Sequence, residues 1–256
     1  MQSITKKVSR GFTLLELIIV IAILAILAAV VIIVLNPAET LKQARDSQRL
    51  SDLSTLKSAI SLYLTTITTP DLDEGSSGGN TVCFSNPAGG ANGAQIAYSS
   101  STPAVCADAT TNPQEGADVT TGGTAIFNAT DNCLGASATV GSATDGTGWI
   151  PVNLNRITGG SPLSNLPIDP TNTVTTATDP NFTDLVYRYS CQNDTTVVGK
   201  NSYLFEVDAT LESSKYGGAA ATGLDTTDGG DEDALYEVGN SVRLMGNSDN
   251  TAGTDY

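Results

Sequence analysis

From Phe12 to Leu35 the chain runs 24 residues with a single charge, Glu16. As a helix rising about 1.5 Å per residue, that stretch is roughly 36 Å long and can cross a bilayer. The pattern then changes. Between Asn36 and Ile67, the residues Leu53, Leu56, Ile60, Tyr63 and Ile67 recur at alternating spacings of four and three, which predicts an amphipathic helix with one apolar stripe. Lys42, Arg45, Asp46, Arg49 and Asp52 make the first half of this segment polar. No glycine falls between Phe12 and Ile67, so the interruption is Pro37, which removes a backbone donor and crowds the carbonyl of Ile33. Asn36-Pro37-Ala38-Glu39 also reads as a helix start, with Asn as cap, Pro first and Glu third. A kink or a locally melted joint is expected there.

Beyond the helix the chain is dominated by Gly, Ser, Thr, Ala and Asn until Gly148, and "AQIAYS" and "TAIFNA" are its candidate short strands. Order returns at "GWIPVNL" and the proline-punctuated turn "SPLSNLPIDP". Three β-rich runs follow, "LVYRYSC", "SYLFEVDATL" and "ALYEVGNSVRL". Leu185, Tyr187 and Tyr189 alternate, as do Tyr203, Phe205 and Val207, which predicts a half-buried antiparallel meander whose apolar face meets the helix stripe. The expected class is α+β: a long N-terminal helix, membrane-spanning in its first half and amphipathic in its second, packed on a C-terminal antiparallel head. The expected segments are a leader at 1–11, a spanning helix at 12–35, an amphipathic helix at 36–69, a loop region at 70–148 and a β head at 149–256.

Charge sharpens the division between tail and head. Residues 70–256 hold 23 of the 27 acids and only 5 of the 12 bases. A surface so acidic repels phosphate backbones, so no nucleic-acid partner is expected for the head. Cys83, Cys106, Cys133 and Cys191 form no C-x-x-C pair, and the chain has no histidine, which excludes a mixed Cys/His zinc site. Two disulfides in an oxidising compartment are the simpler reading. Three pairings are open, and Cys83–Cys106 closes the shortest loop. The leader carries Lys6, Lys7 and Arg10 and no acid, the flank expected to stay cytoplasmic. Lys42, Arg45 and Arg49 match it base for base beyond the span, and the cysteines break the tie by placing the C-terminal side outside.

A cleaved signal peptide would have a shorter apolar core, and a plain anchor gives Glu16 no purpose. Arg10-Gly11-Phe12-Thr13-Leu14-Leu15-Glu16 resembles the processing site of type IV pilins and type II secretion pseudopilins: a basic leader ending in Gly, then Phe, then Glu five residues into the mature chain. "ARDSQRLSDLSTLKSAISLYL", "LPIDP" and "YRY" also resemble the pseudopilin branch. The resemblance implies the pilin fold, cleavage between Gly11 and Phe12 by a membrane-embedded prepilin peptidase, and methylation of the new amine. It also implies polymerisation through the N-terminal helix with identical or related subunits, by a pilus assembly machinery. The chain would then sit in the inner, cytoplasmic membrane before assembly and in an extracellular filament afterwards. Cleavage gives Phe12 a positive amine, and an incoming subunit could present it to Glu16 of a neighbour, offsetting the burial cost of both charges.

No catalytic constellation is present: there is no histidine, no G-x-S-x-G and no P-loop, so no enzymatic activity is expected. One acidic run, Asp225 to Glu237, gathers Asp225, Asp228, Asp231, Glu232 and Asp233. Its spacing fails the EF-hand pattern, and it reads first as an acidic surface loop. Because related pseudopilins hold calcium in a late inter-strand loop, the resemblance makes these five residues calcium candidates. No other cofactor is expected. The reading is a pilus filament subunit; the alternatives are a pseudopilin of a secretion or DNA-uptake system, and a membrane-anchored surface adhesin or enzyme.

Overall fold

The structure is a computed structural model that describes residues 12–73, 83, 97–99, 141–173, 183–194, 202–217, 223–230 and 232–242. Two helices open it, α1 (Leu14–Leu35) and α2 (Pro37–Thr66). Between them Asn36 takes the left-handed conformation, φ 38° and ψ 74°, which asparagine tolerates better than most residues. Pro37 occupies the first position of α2, where its missing N–H breaks no bond, and the Asn36 carbonyl accepts from the amides of Glu39 and Thr40. The expected joint is therefore a one-residue break rather than a bend in a continuous helix. Met1–Lys42 and Gln43–Tyr256 are separate compact units.

In the second unit a four-stranded antiparallel sheet follows the order β1 (Ala97–Tyr98), β2 (Tyr187–Asp194), β3 (Ser202–Ala209), β4 (Tyr236–Gly239). The register pairs Tyr189 with Val207 and Val207 with Val238, so Tyr187, Tyr189, Phe205, Val207 and Val238 share one face. That face and the α2 stripe of Leu53, Leu56, Ile60 and Tyr63 belong to one buried core, completed by Trp149, Ile150, Val152 and Leu154. β3 and β4 lie in two of the predicted runs, β2 starts in "LVYRYSC" and continues to Asp194, and β1 lies in "AQIAYS"; "TAIFNA" falls outside the described residues.

The expectation of a half-buried sheet needs correction. The opposite face carries Arg188, Ser190, Glu206, Asp208 and Glu237, and all five are buried. Arg188 Nη1 donates to Asp208 Oδ1 at 2.9 Å across the β2–β3 pair. Burial raises the Asp208 carboxyl, and the adjacent Arg188 charge opposes that rise. Alternation correctly sorted the side chains into two faces, but polarity did not mean exposure.

The α2 stripe also extends further than its apolar residues. Asp46 and Arg49 continue the spacing of Leu53, Leu56, Ile60 and Tyr63 towards the N-terminus, and both are fully buried. Arg49 donates through Nε and Nη2 to both oxygens of Asp169, at 2.6 and 2.9 Å, and through Nη1 to Asp46 at 2.8 Å. Its Nη1 also meets Glu212 Oε1 at 2.7 Å, while Arg45 grips Glu212 with two bonds of 2.9 and 2.6 Å. Asp46 accepts from the amides of Glu212 and Ser213, and Asp169 from those of Thr171 and Asn172. Polar side chains in the first half of α2 thus fix the helix to the "LPIDP" turn and to the chain after β3.

Arg49→Met leaves three carboxylates around the space of one cation, so the full chain in detergent should lose about 3–5 kcal/mol in denaturant unfolding of the head; a loss below 1 kcal/mol would refute a structural role for the guanidinium. The Arg45 hydrogen bond, and then Arg49, hold Glu212 down to about 2 from its ordinary 4.5. A carboxylate whose folded pKa is depressed stabilises fully above its unfolded value and loses that contribution as the pH falls through the folded one. Head stability should therefore decline between about pH 4.5 and 2, and Glu212→Gln should flatten that part of the profile.

Candidate functional site

The N-terminal segment is built for an apolar surrounding. Every large apolar side chain from Phe12 to Ile32 is exposed, with Phe12 at 82%. Leu14–Ile32 is long and apolar enough to cross a membrane. Because the apolar residues encircle α1 and leave no polar face, lipid or packed neighbours must cover it all round.

At the head of this helix Thr13 is the N-cap, extended at φ −79° and ψ 149°. Its Oγ1 accepts from the Glu16 amide at 3.2 Å, and its carbonyl accepts from the Leu17 amide. Glu16 lies in the first turn, where the helix dipole favours a carboxylate. Phe12 stands outside the helix, and Gly11 lies outside the described residues.

The disulfide expectation is corrected in part. Cys83 bonds to Cys191 on β2, across 108 residues, and not to Cys106. The shortest loop does not decide the pairing because local hydrogen bonds carry Cys83 to the sheet. The Cys83 amide donates to Asp73 Oδ2, Asn193 Nδ2 donates to Asp73 Oδ1 at 2.6 Å, and Tyr189 Oη donates to the Leu72 carbonyl. Cys106 and Cys133 lie outside the described residues.

The described part of the acidic run is less exposed than a solvated loop. Asp225 and Glu232 are buried, Asp228 is half-buried and Asp233 is exposed; Asp231 lies outside the described residues. Asp228 accepts from the Gly230 amide at 3.0 Å and from the Glu237 amide at 2.6 Å, so its carboxylate caps the β4 edge. Asp225 accepts from the Thr226 amide and Glu232 from the Ala234 amide. Among the described residues, no group of three or more Cys, Asp or Glu is placed to hold a metal ion. The described acids accept from backbone amides of their own turns and of β4.

Sequence reasoning overlooked two features. Asp46 and Arg49 betray their burial by sharing the register of the apolar stripe. Thr13 betrays its role by the spacing Thr-x-x-Glu, which is the signature of a capped helix start.

Residues 6–32 match the family model described as the prokaryotic N-terminal methylation motif. No curated protein and no solved structure matches the chain. Together the apolar N-terminal helix and the C-terminal four-stranded antiparallel sheet accord with an α+β pilin fold. The matched segment is the prepilin-type cleavage motif of type IV pilins and pseudopilins, and the match spans residues 6–32 of the 256-residue chain.

The cysteines allow a direct check on the head. Peptide mapping without reductant should recover a Cys83–Cys191 cross-link. A Cys83–Cys106 cross-link would overturn the observed pairing.

Proposed function

We propose that the chain is a structural subunit of an extracellular type IV pilus filament. The observation that carries this reading is the methylation motif, with Gly11, Phe12 and Glu16 in place, at the head of a helix that is apolar on every side. In this reading prepilin peptidase cuts between Gly11 and Phe12 and the new amine is methylated. The subunit waits in the cytoplasmic membrane, held by α1 and facing outward with its head. The pilus machinery then packs it against identical or related subunits.

Glu16 supplies the register. A carboxylate in hydrocarbon costs about 2.5–3.5 kcal/mol on insertion scales, so it needs a partner or an interface. The ammonium of Phe12 on an incoming subunit is such a partner, and the attraction is strong where water is excluded. A misplaced subunit leaves both charges unpaired.

Mass spectrometry of sheared surface filaments should find this chain as a main component beginning at N-methylated Phe12. If it remains membrane-held and no surface fibre contains it, the pseudopilin role replaces the pilus role. Glu16→Gln should leave cleavage and methylation intact and reduce filament yield at least tenfold; wild-type yield would refute the ion pair.

A further inference from the structure

Both edges of the described sheet are short strands, two residues in β1 and four in β4. β4 pairs only with Glu206–Ala209, so β3 runs four residues further, from Ser202 to Phe205. Ser202-Tyr203-Leu204-Phe205 carries no charge and no proline, and two of its four side chains are aromatic. A strand edge of that composition is a template to which another chain can add.

One residue occupies it. Asn240, the first after β4, accepts from the Phe205 amide through Oδ1 at 2.8 Å and donates through Nδ2 to the Tyr203 carbonyl at 2.7 Å. Its backbone amide donates to the Phe205 carbonyl at 3.2 Å. Alternation along β3 turns four backbone groups of Tyr203 and Phe205 away from β2, and Asn240 binds three of them. The chain comes this close because residue 239 is glycine: a Cβ there would lie 2.2 Å from the Phe205 carbonyl oxygen and 2.4 Å from that of Ser241. Any other residue would push the chain off β3 and withdraw Asn240.

We infer that Asn240 closes the β3 edge against strand addition by a second copy of this chain. The segment is its own complement: two copies of Ser202–Phe205 laid antiparallel about a twofold axis bring no like charges together along the seam. Each copy also supplies the outward donors and acceptors that Asn240 now holds. Edges are commonly blunted by charge or proline. Here the side-chain amide takes that part, at the place where β4 is too short to cover its neighbour. The plug belongs to the head alone, so it holds whether or not the chain forms filaments.

The test follows amide exchange of Phe205 in the full chain in detergent, dilute and concentrated, in about 0.5 M salt to screen repulsion between the acidic heads. In the wild type that amide should exchange slowly and at one rate whatever the concentration. In Asn240→Ala it should exchange about fivefold faster when dilute, the factor of one hydrogen bond of ordinary net strength, and slow again when concentrated, as copies pair. Adding Leu204→Lys, which sets a charge on the edge, should abolish that recovery. Exchange in Asn240→Ala that shows no dependence on concentration overturns the inference. So does a recovery that survives Leu204→Lys, because the copies would then be meeting elsewhere. A wild-type Phe205 amide that exchanges like an unstructured one overturns it with no variant needed.

Discussion

The architecture of the head depends on one buried cation. Arg49 is fully enclosed, and its guanidinium meets Asp46 in its own helix, Asp169 in the turn that precedes β2 and Glu212 just after β3. These segments are far apart in sequence, so the network forms only when helix, turn and strand are all in place. Buried ion pairs contribute less net stability than their Coulomb attraction implies, because both charges must leave water. Their influence lies in what they forbid. Any packing that displaces one of the three segments strands a charge inside the head, and backbone amides bound to Asp46 and Asp169 would lose their acceptors as well.

Around that point the apolar core is assembled by shape. Trp149 packs at 6.3 Å from the Tyr187 ring and donates its indole N–H to the Pro167 carbonyl, which steadies the turn that carries Asp169. Gly148 is needed just before it, since a Cβ there would lie 2.1 Å from the Ala143 carbonyl oxygen. Tyr187 in turn donates its hydroxyl to Asp52 on α2 at 2.9 Å. Burial raises the Asp52 carboxyl, and the Tyr187 hydrogen bond partly counters that rise. The Cys83–Cys191 bond then restrains a long span of chain, worth about 4–5 kcal/mol in the chain-entropy account.

The tail obeys a different physics. Among the described residues of its own unit, α1 has every large apolar side chain from Phe12 to Ile32 exposed, and its one charged residue, Glu16, stands in the first turn. Hydrophobicity there selects a medium and not a fold, and the assembly chemistry proposed for it falls on Glu16 and the Phe12 amine that cleavage would create. A helix cap and a carboxylate are local devices, so they function whatever the head looks like.

This contrast sets what could be read from the chain alone. The spanning helix, the break at Asn36-Pro37, the apolar stripe of α2 and the three main strands were legible, because each follows from near-neighbour periodicity or from the stereochemistry of one or two residues. The methylation motif was legible for the same reason, being a fixed local spacing. Tertiary structure alone decided which cysteine meets Cys83, which carboxylates meet Arg49, and that Arg188, Glu206 and Asp208 are covered. Those outcomes depend on partners more than a hundred residues away or on neighbouring strands. A charged side chain reads as exposed until its counter-charge is brought to it, and only the folded chain brings Asp169 and Glu212 to Arg49.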